Sequence, residues 1–255
     1  MTGPDVPASF HLAYVPGVLP GKWVRIWQER YPAVPLELSG VPAADAAALV
    51  RDRGADAALL RLPIDRTGLH AIPLYTETTV VVVPKDHLLA AADEVSTPDL
   101  ADDVVLRPLD DTLDWDRSPG RPAIERPATT AAAVELVAAG VGLLVVPQSL
   151  ARLHHRRDLT YRTVTDAPQS RVALSWPDEE TTDLMEQFIG VVRGRTVNST
   201  RGRQAPSPAP TKPKKSDVDG RKAAAGKRTG GSPGGNRGRG AAPKGGKRGK
   251  PRRRS

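Results

Sequence analysis

Residue 200 divides the chain into two materials, and only the first can fold. Residues 201–255 contain 12 Gly and 7 Pro, no aromatic residue, and, proline aside, one apolar side chain larger than Ala, Val218. Such a segment cannot bury enough apolar surface to offset the entropy of ordering it, roughly 1–2 kcal/mol per residue for the backbone alone. Charge divides at the same place. Residues 1–200 carry 19 basic and 27 acidic side chains, a formal −8, while residues 201–255 carry 18 and 2, a formal +16; together they make the +8 of the whole chain. The expectation is an acidic folded body over residues 8–195, an extension over 1–7, and a disordered basic tail over 196–255.

Several chemistries are excluded at once. With no cysteine, residues 1–255 have no disulfide, thiol nucleophile or sulfur-ligated metal site. Met1 to Ser9 holds Asp5 and two prolines rather than a basic patch leading into an apolar run. No stretch reaches the roughly 18–20 apolar residues that span a bilayer. A cytoplasmic protein without membrane insertion is expected, nucleoid-associated if the tail meets DNA.

Within the folded part, Phe10 to Val15 alternates as a strand and stops at Pro16-Gly17. Leu19, Trp23, Trp27 and Tyr31 recur every four residues, a helical period ended by Pro32. Val34 to Leu38 reads as a strand, Ala43 to Arg53 as an alanine-rich helix and Asp56 to Leu60 as a short strand. Leu74 to Val83 ends in four valines, the pattern of a strand covered on both faces. Strand and helix thus alternate at the start, which predicts parallel α/β architecture. Farther on, Val104 to Leu106 and Leu143 to Val146 read as strands and Thr129 to Ala139 as a helix. Gln148 to His155 reads as a short helix, Arg171 to Trp176 as a strand, and Leu184 to Val192 as a final amphipathic helix.

Two segments carry a family resemblance: Leu74-Tyr75-Thr76-Glu77-Thr78-Thr79-Val80-Val81-Val82-Val83-Pro84-Lys85-Asp86-His87-Leu88-Leu89-Ala90 and Val137-Ala138-Ala139-Gly140-Val141-Gly142-Leu143-Leu144-Val145-Val146-Pro147. In this order and separation they resemble the effector-binding domain of LysR-type transcriptional regulators. The resemblance covers about residues 8 to 195. It implies the type 2 periplasmic-binding-protein fold, an α/β domain of two lobes with mixed, mainly parallel sheets. The first lobe would take residues 8–84 and 166–195, the second 85–165, with crossovers near Pro84–Ala90 and Tyr161–Thr165.

The resemblance also implies a small effector between the lobes. Helix amino termini gather free N–H groups where the macrodipole is positive, so an anionic effector fits such a cleft. Candidate ligand residues are Pro16, Gly17, Val18 and Leu19 in the first lobe and Ala128, Thr129 and Thr130 in the second, with Thr79 on the strand approaching the crossover. Either Thr130 touches the effector or one of the two threonines simply caps its helix. Arg61 either balances an anionic ligand or forms a surface salt bridge. The chain departs from the family between Leu106 and Ile124, where a glycine-containing loop and helix are usual. Here the segment is short and rich in Asp, Arg and Pro, which predicts a smaller second lobe with a shallow or absent pocket. A helix-turn-helix ahead of the first strand is also missing from this sequence.

No enzyme is indicated. Pro16 to Gly21 lacks the P-loop ending and the Rossmann glycine spacing, and no nucleophile elbow selects a triad. Asp110, Asp111, Asp114 and Asp116 read as a solvated acidic turn, His154-His155 are adjacent rather than spaced for one metal, and His11 sits on a strand. No catalytic residue, cofactor or metal is assigned.

The tail is a flexible polycation. Lys212, Lys214, Lys215, Lys227, Arg228, Arg237, Arg239, Lys244, Lys247, Arg248, Lys250, Arg252, Arg253 and Arg254 are its candidate contacts to DNA or RNA. Counterion release would drive binding without reading bases. The expected function is therefore a LysR-like effector-sensing regulator attached to nucleic acid through its tail. The alternative is a protein-interaction scaffold with a degenerate cleft and a tail that solubilises the chain or binds an acidic partner. A homodimer through the first lobe would use the Trp23/Trp27 stripe, which monomeric burial explains equally well.

Overall fold

A computed structural model of the chain describes residues 9–179 and 181–195. Its first sheet begins as the sequence predicts. Strand β1 (Phe10–Tyr14) is followed by helix α1 (Gly21–Arg30), β2 (Leu36–Gly40), α2 (Ala46–Arg51) and β3 (Ala57–Leu62). These three strands are parallel, with β1 between β2 and β3. Two later strands extend the sheet antiparallel, β4 (Leu69–Thr76) and β11 (Arg171–Pro177), in the order β2-β1-β3-β11-β4. Helix α5 (Asp183–Val192) returns beside α1, where Arg30 Nη1 donates to the Arg195 carbonyl at 2.6 Å.

An aromatic cluster fixes this lobe. Trp27 is fully buried, with Phe10 at 5.3 Å and Phe188 at 5.7 Å between ring centroids, and Phe10 stacks on Phe188 at 4.9 Å. The Trp27 indole Nε1 donates to the Val34 carbonyl at 3.0 Å, which satisfies its one polar atom. Trp27 is therefore taken up by the monomer's own core, while Trp23 packs half-buried at its margin.

The second sheet is built from β5 (Thr79–Pro84), β6 (Glu94–Val95), β7 (Val104–Leu106), β8 (Arg121–Pro122), β9 (Leu143–Pro147) and β10 (Leu159–Val164), in the order β6-β10-β5-β9-β7-β8. It too is mixed, with β5 antiparallel to both its neighbours. Alternation explains the valine run. Val80 and Val82 face the core formed with helices α3 (Thr130–Ala138) and α4 (Gln148–Leu153), while Val81 and Val83 face a separate core containing Leu100, Val105 and Leu113. A strand covered on both faces needs apolar side chains at every position.

Two readings change. Leu74 to Val83 is not one strand: β4 ends at Thr76 in the first sheet and β5 starts at Thr79 in the second. The first passage between sheets is thus Glu77-Thr78 rather than Pro84–Ala90, and Thr79–Pro84 joins the second lobe. The return lies between β10 and β11, just beyond the Tyr161–Thr165 segment, since Leu159–Val164 is itself a strand paired to β5.

Candidate cleft between the lobes

The parallel strands β1 and β2 end side by side at Tyr14 and Gly40, and β3 runs on past the Tyr14–Leu59 pairing to Leu62. In open α/β sheets the carboxyl ends of strands form the rim of a crevice. Here a cavity of about 840 Å³ opens at that rim, with the second lobe forming its other wall. Its first-lobe wall is Tyr14, Pro16, the Gly40–Ala44 loop and Leu62–Ile64 with Arg61; its second-lobe wall is Leu109–Asp114, Thr129–Ala131, Leu150, Leu153 and His154. The short segment after Leu106 thus does not abolish the pocket; it supplies one side of it.

That segment holds its shape without a helix. Arg126 donates from Nε to the Arg107 carbonyl at 2.9 Å and from Nη2 to the Pro108 carbonyl at 2.6 Å. Leu113 drops into the core, 5% exposed, and its N–H donates to Asp111 Oδ1 at 3.0 Å. Arg107 Nε reaches Asp111 Oδ2 at 3.2 Å. Burial pushes the Asp111 carboxyl above the ordinary carboxylate range, against the pull of the Leu113 N–H and the two arginines. Asp110, Thr112 and Asp114 are left along the cavity.

Behind the cleft lies an internal ion pair, of which Arg61 reaches the cavity wall. Arg61 and Glu77 are 6% and 7% exposed. Arg61 Nε donates to Glu77 Oε2 at 2.8 Å and Nη2 to Oε1 at 3.4 Å, Nη1 donates to the Pro16 carbonyl at 2.8 Å, and Nη2 to Ser149 Oγ at 3.0 Å. Four of the guanidinium's five N–H groups are thereby occupied. Glu77 in turn accepts from the Ser149 hydroxyl and from Ser170 Oγ at 3.1 Å, and its N–H donates to the Ser170 carbonyl at 2.8 Å. One carboxylate therefore ties β3, both passages between the sheets and helix α4. Gly17 is needed for this closeness: at φ +83°, a Cβ would lie 2.8 Å from Ser149 Oγ and 3.0 Å from Arg61 Nη2.

The sequence candidates divide accordingly. Pro16, Arg61, Thr129 and Thr130 line the cavity. Gly17 packs behind it, Val18 is 1% exposed in the first-lobe core, and Leu19 and Ala128 are exposed outside the lining. Thr79 is buried at the passage, donating to the Pro168 carbonyl at 2.5 Å. Thr129 is the cap of α3, accepting from the Ala132 N–H at 3.1 Å, whereas Thr130 Oγ1 donates to Asp110 Oδ1 at 2.9 Å. Arg61 forms a salt bridge, buried rather than superficial, and does not stand free to balance an anion. The lining residues that sequence reading missed are Gly40–Ala44, Leu62–Ile64 and Leu109–Asp114, together with Tyr14, Ala131, Leu150, Leu153 and His154. The parallel order of the first three strands was the signal that locates the first two groups, because it puts their carboxyl ends together.

Among the described residues no three His, Asp or Glu side chains gather as a metal site, and no helix is long and apolar enough to cross a membrane. The fourteen candidate nucleic-acid contacts from Lys212 to Arg254, and the extension over 1–7, lie outside the described residues.

Comparison with known proteins agrees with the two-lobed fold. Residues 11–196 match the model of the LysR substrate binding domain. A probable hydrogen peroxide-inducible genes activator of Mycobacterium avium is 35% identical over 145 residues, 53% of this chain and 46% of that protein. The HTH-type transcriptional regulator AlsR of Bacillus subtilis (strain 168) is 25% identical over 179 residues, covering 66% and 59%. The chain spans about half the length of these curated relatives. Among solved structures, the BenM effector binding domain with its effector benzoate superposes with a TM-score of 0.63 at 19% identity, covering 74% of this chain and 92% of that one. An H2O2-bound mutant of Corynebacterium glutamicum OxyR gives a TM-score of 0.59 at 25% identity, covering 73% and 67%.

Proposed function

The chain belongs to the LysR substrate binding domain family, and from that membership we propose that residues 9–195 sense a small molecule bound between the lobes while the basic tail holds the chain on nucleic acid. The observation that carries the sensing reading is the cavity of about 840 Å³, which lies within the roughly 300–1,000 Å³ range of small-molecule sites and has one wall from each lobe. A ligand touching both walls changes the relative stability of lobe arrangements, which is the thermodynamic requirement for a sensor. The fold and family are those of regulatory domains rather than of enzymes. The peroxide response in the names of several relatives does not transfer through a thiol, because residues 1–255 contain no cysteine.

The tail reading rests on composition: 18 basic against 2 acidic residues in 201–255, with no aromatic side chain for base stacking. Attachment without sequence preference suits that segment.

Amide chemical-shift mapping on the full chain, with a set of small aromatic and aliphatic fragments, tests the sensing reading. The expected result is at least one fragment that moves Val41–Ala44 and Thr129–Ala131 together. Shifts confined to one wall, or none, would instead favour a scaffold whose cleft no longer takes a ligand.

A further inference from the structure

We infer that the cleft selects a small amphipathic cation, a protonated amine on an apolar body, over the equivalent anion. The inference rests on the reading of the cleft as a ligand site and concerns what that site accepts. Both features that would attract an anion are already supplied with a carboxylate by the chain itself. Arg61, the one Lys or Arg side chain on the cavity wall, is held by Glu77 at 2.8 Å. At the start of α3, the Asp110 carboxylate sits against the Thr130 hydroxyl at 2.9 Å, taking the place where the helix's free N–H groups favour negative charge. A single remaining guanidinium N–H cannot make the paired contact that carboxylate recognition uses.

What the wall offers is the opposite sign. Asp111 is paired with Arg107, but among the described residues neither Asp110 nor Asp114 has a Lys or Arg nitrogen within 4.0 Å. Asp114 therefore stands on the cavity wall without a cationic partner, and Asp110 is balanced only by the start of α3. Opposite, Val41, Pro42, Ala43 and Ile64 form an apolar face. A ligand that matches both walls carries N–H donors and positive charge at one end and hydrocarbon at the other.

Benzylamine, benzyl alcohol and benzoate test this, being close in shape and different in charge at neutral pH. Each is titrated into the full chain at constant ionic strength, with amide shifts on both walls as the readout. Benzylamine is expected to bind at least about tenfold more tightly than benzoate, the ratio that one charge-assisted hydrogen bond supports. Asp114→Asn should narrow that ratio several-fold, weakening benzylamine more than benzyl alcohol. Benzoate binding as tightly as benzylamine at both walls overturns the charge assignment and leaves the cleft reading standing. No response at the two walls from any of the three overturns both. The tail is a second source of ammonium groups, so a synthetic peptide of residues 244–254 is added in a parallel titration. If it moves both walls as strongly as benzylamine, the cleft is a seat for the chain's own tail and the assignment to a small amphiphile fails.

Discussion

Glu77→Ala is expected to destabilise the folded body by about 3–5 kcal/mol, the usual cost of leaving one member of a buried ion pair without its partner. Arg61 would keep the Pro16 carbonyl and the Ser149 hydroxyl as acceptors, but neither carries charge. The Ser170 and Ser149 hydroxyls would both lose the oxygen they donate to. Urea denaturation of the full chain measures the loss. Combining Glu77→Ala with Arg61→Met removes the orphaned charge, so the double variant should be clearly more stable than the sum of the two single losses requires. A single-variant cost below about 1 kcal/mol, in the range of an exposed pair, would mean that the pair is effectively solvated. Glu77→Gln is the informative conservative change for binding. It keeps an acceptor near Arg61 while releasing the positive charge, so the preference of the cleft should move toward benzoate.

The second large effect belongs to the tail. Full-length chain is expected to bind a short DNA duplex in low salt, and a chain ending at residue 200 to lose nearly all of that affinity. Eighteen basic residues are more than enough to neutralise 6–10 phosphates, for which affinity falls by about 10³–10⁵ between roughly 50 and 200 mM salt. Because the contacts are to backbone charge, duplexes of unrelated sequence should bind within a few-fold of one another. The truncated chain retains all three hydrophobic clusters, which draw only on residues between Phe10 and Val192, so the comparison is between two folded proteins. Equal affinity of the two chains at low salt would remove the tail from the account.

Sequence patterning locates most of the elements because their periods are strong. The four-residue spacing of Trp23, Trp27 and Tyr31 marks α1, and the valine run marks β5 as a strand covered on both faces. Patterning does not show where the chain changes sheets. Thr76 and Thr79 lie in one continuous β-rich stretch, and only the pairing partners, β11 for one and β9 and β10 for the other, separate them. The pairing of Arg61 with Glu77 is hidden for a related reason. Sixteen residues separate them, and the end of one strand meets the passage between two sheets to bring them together. Local charge pattern carries no trace of such a contact. In the segment from Arg107 to Ala128, the absence of a helical stripe corresponds to the absence of a helix. That the segment nevertheless walls a pocket depends on Leu113 as an anchor and on Arg126 bonding two carbonyls, both visible only in three dimensions.

The interlobe cleft as a ligand site is tested most directly by amide hydrogen exchange on the full chain with and without an excess of benzylamine, benzyl alcohol or benzoate, whichever moves the amide shifts most. The account predicts slower exchange at Gly40–Ala44 and at Leu109–Ala131 together, and with them at Glu77-Thr78 and residues 165–170, where the two passages between sheets lie. Protection restricted to one wall, or exchange unchanged at both, would contradict it.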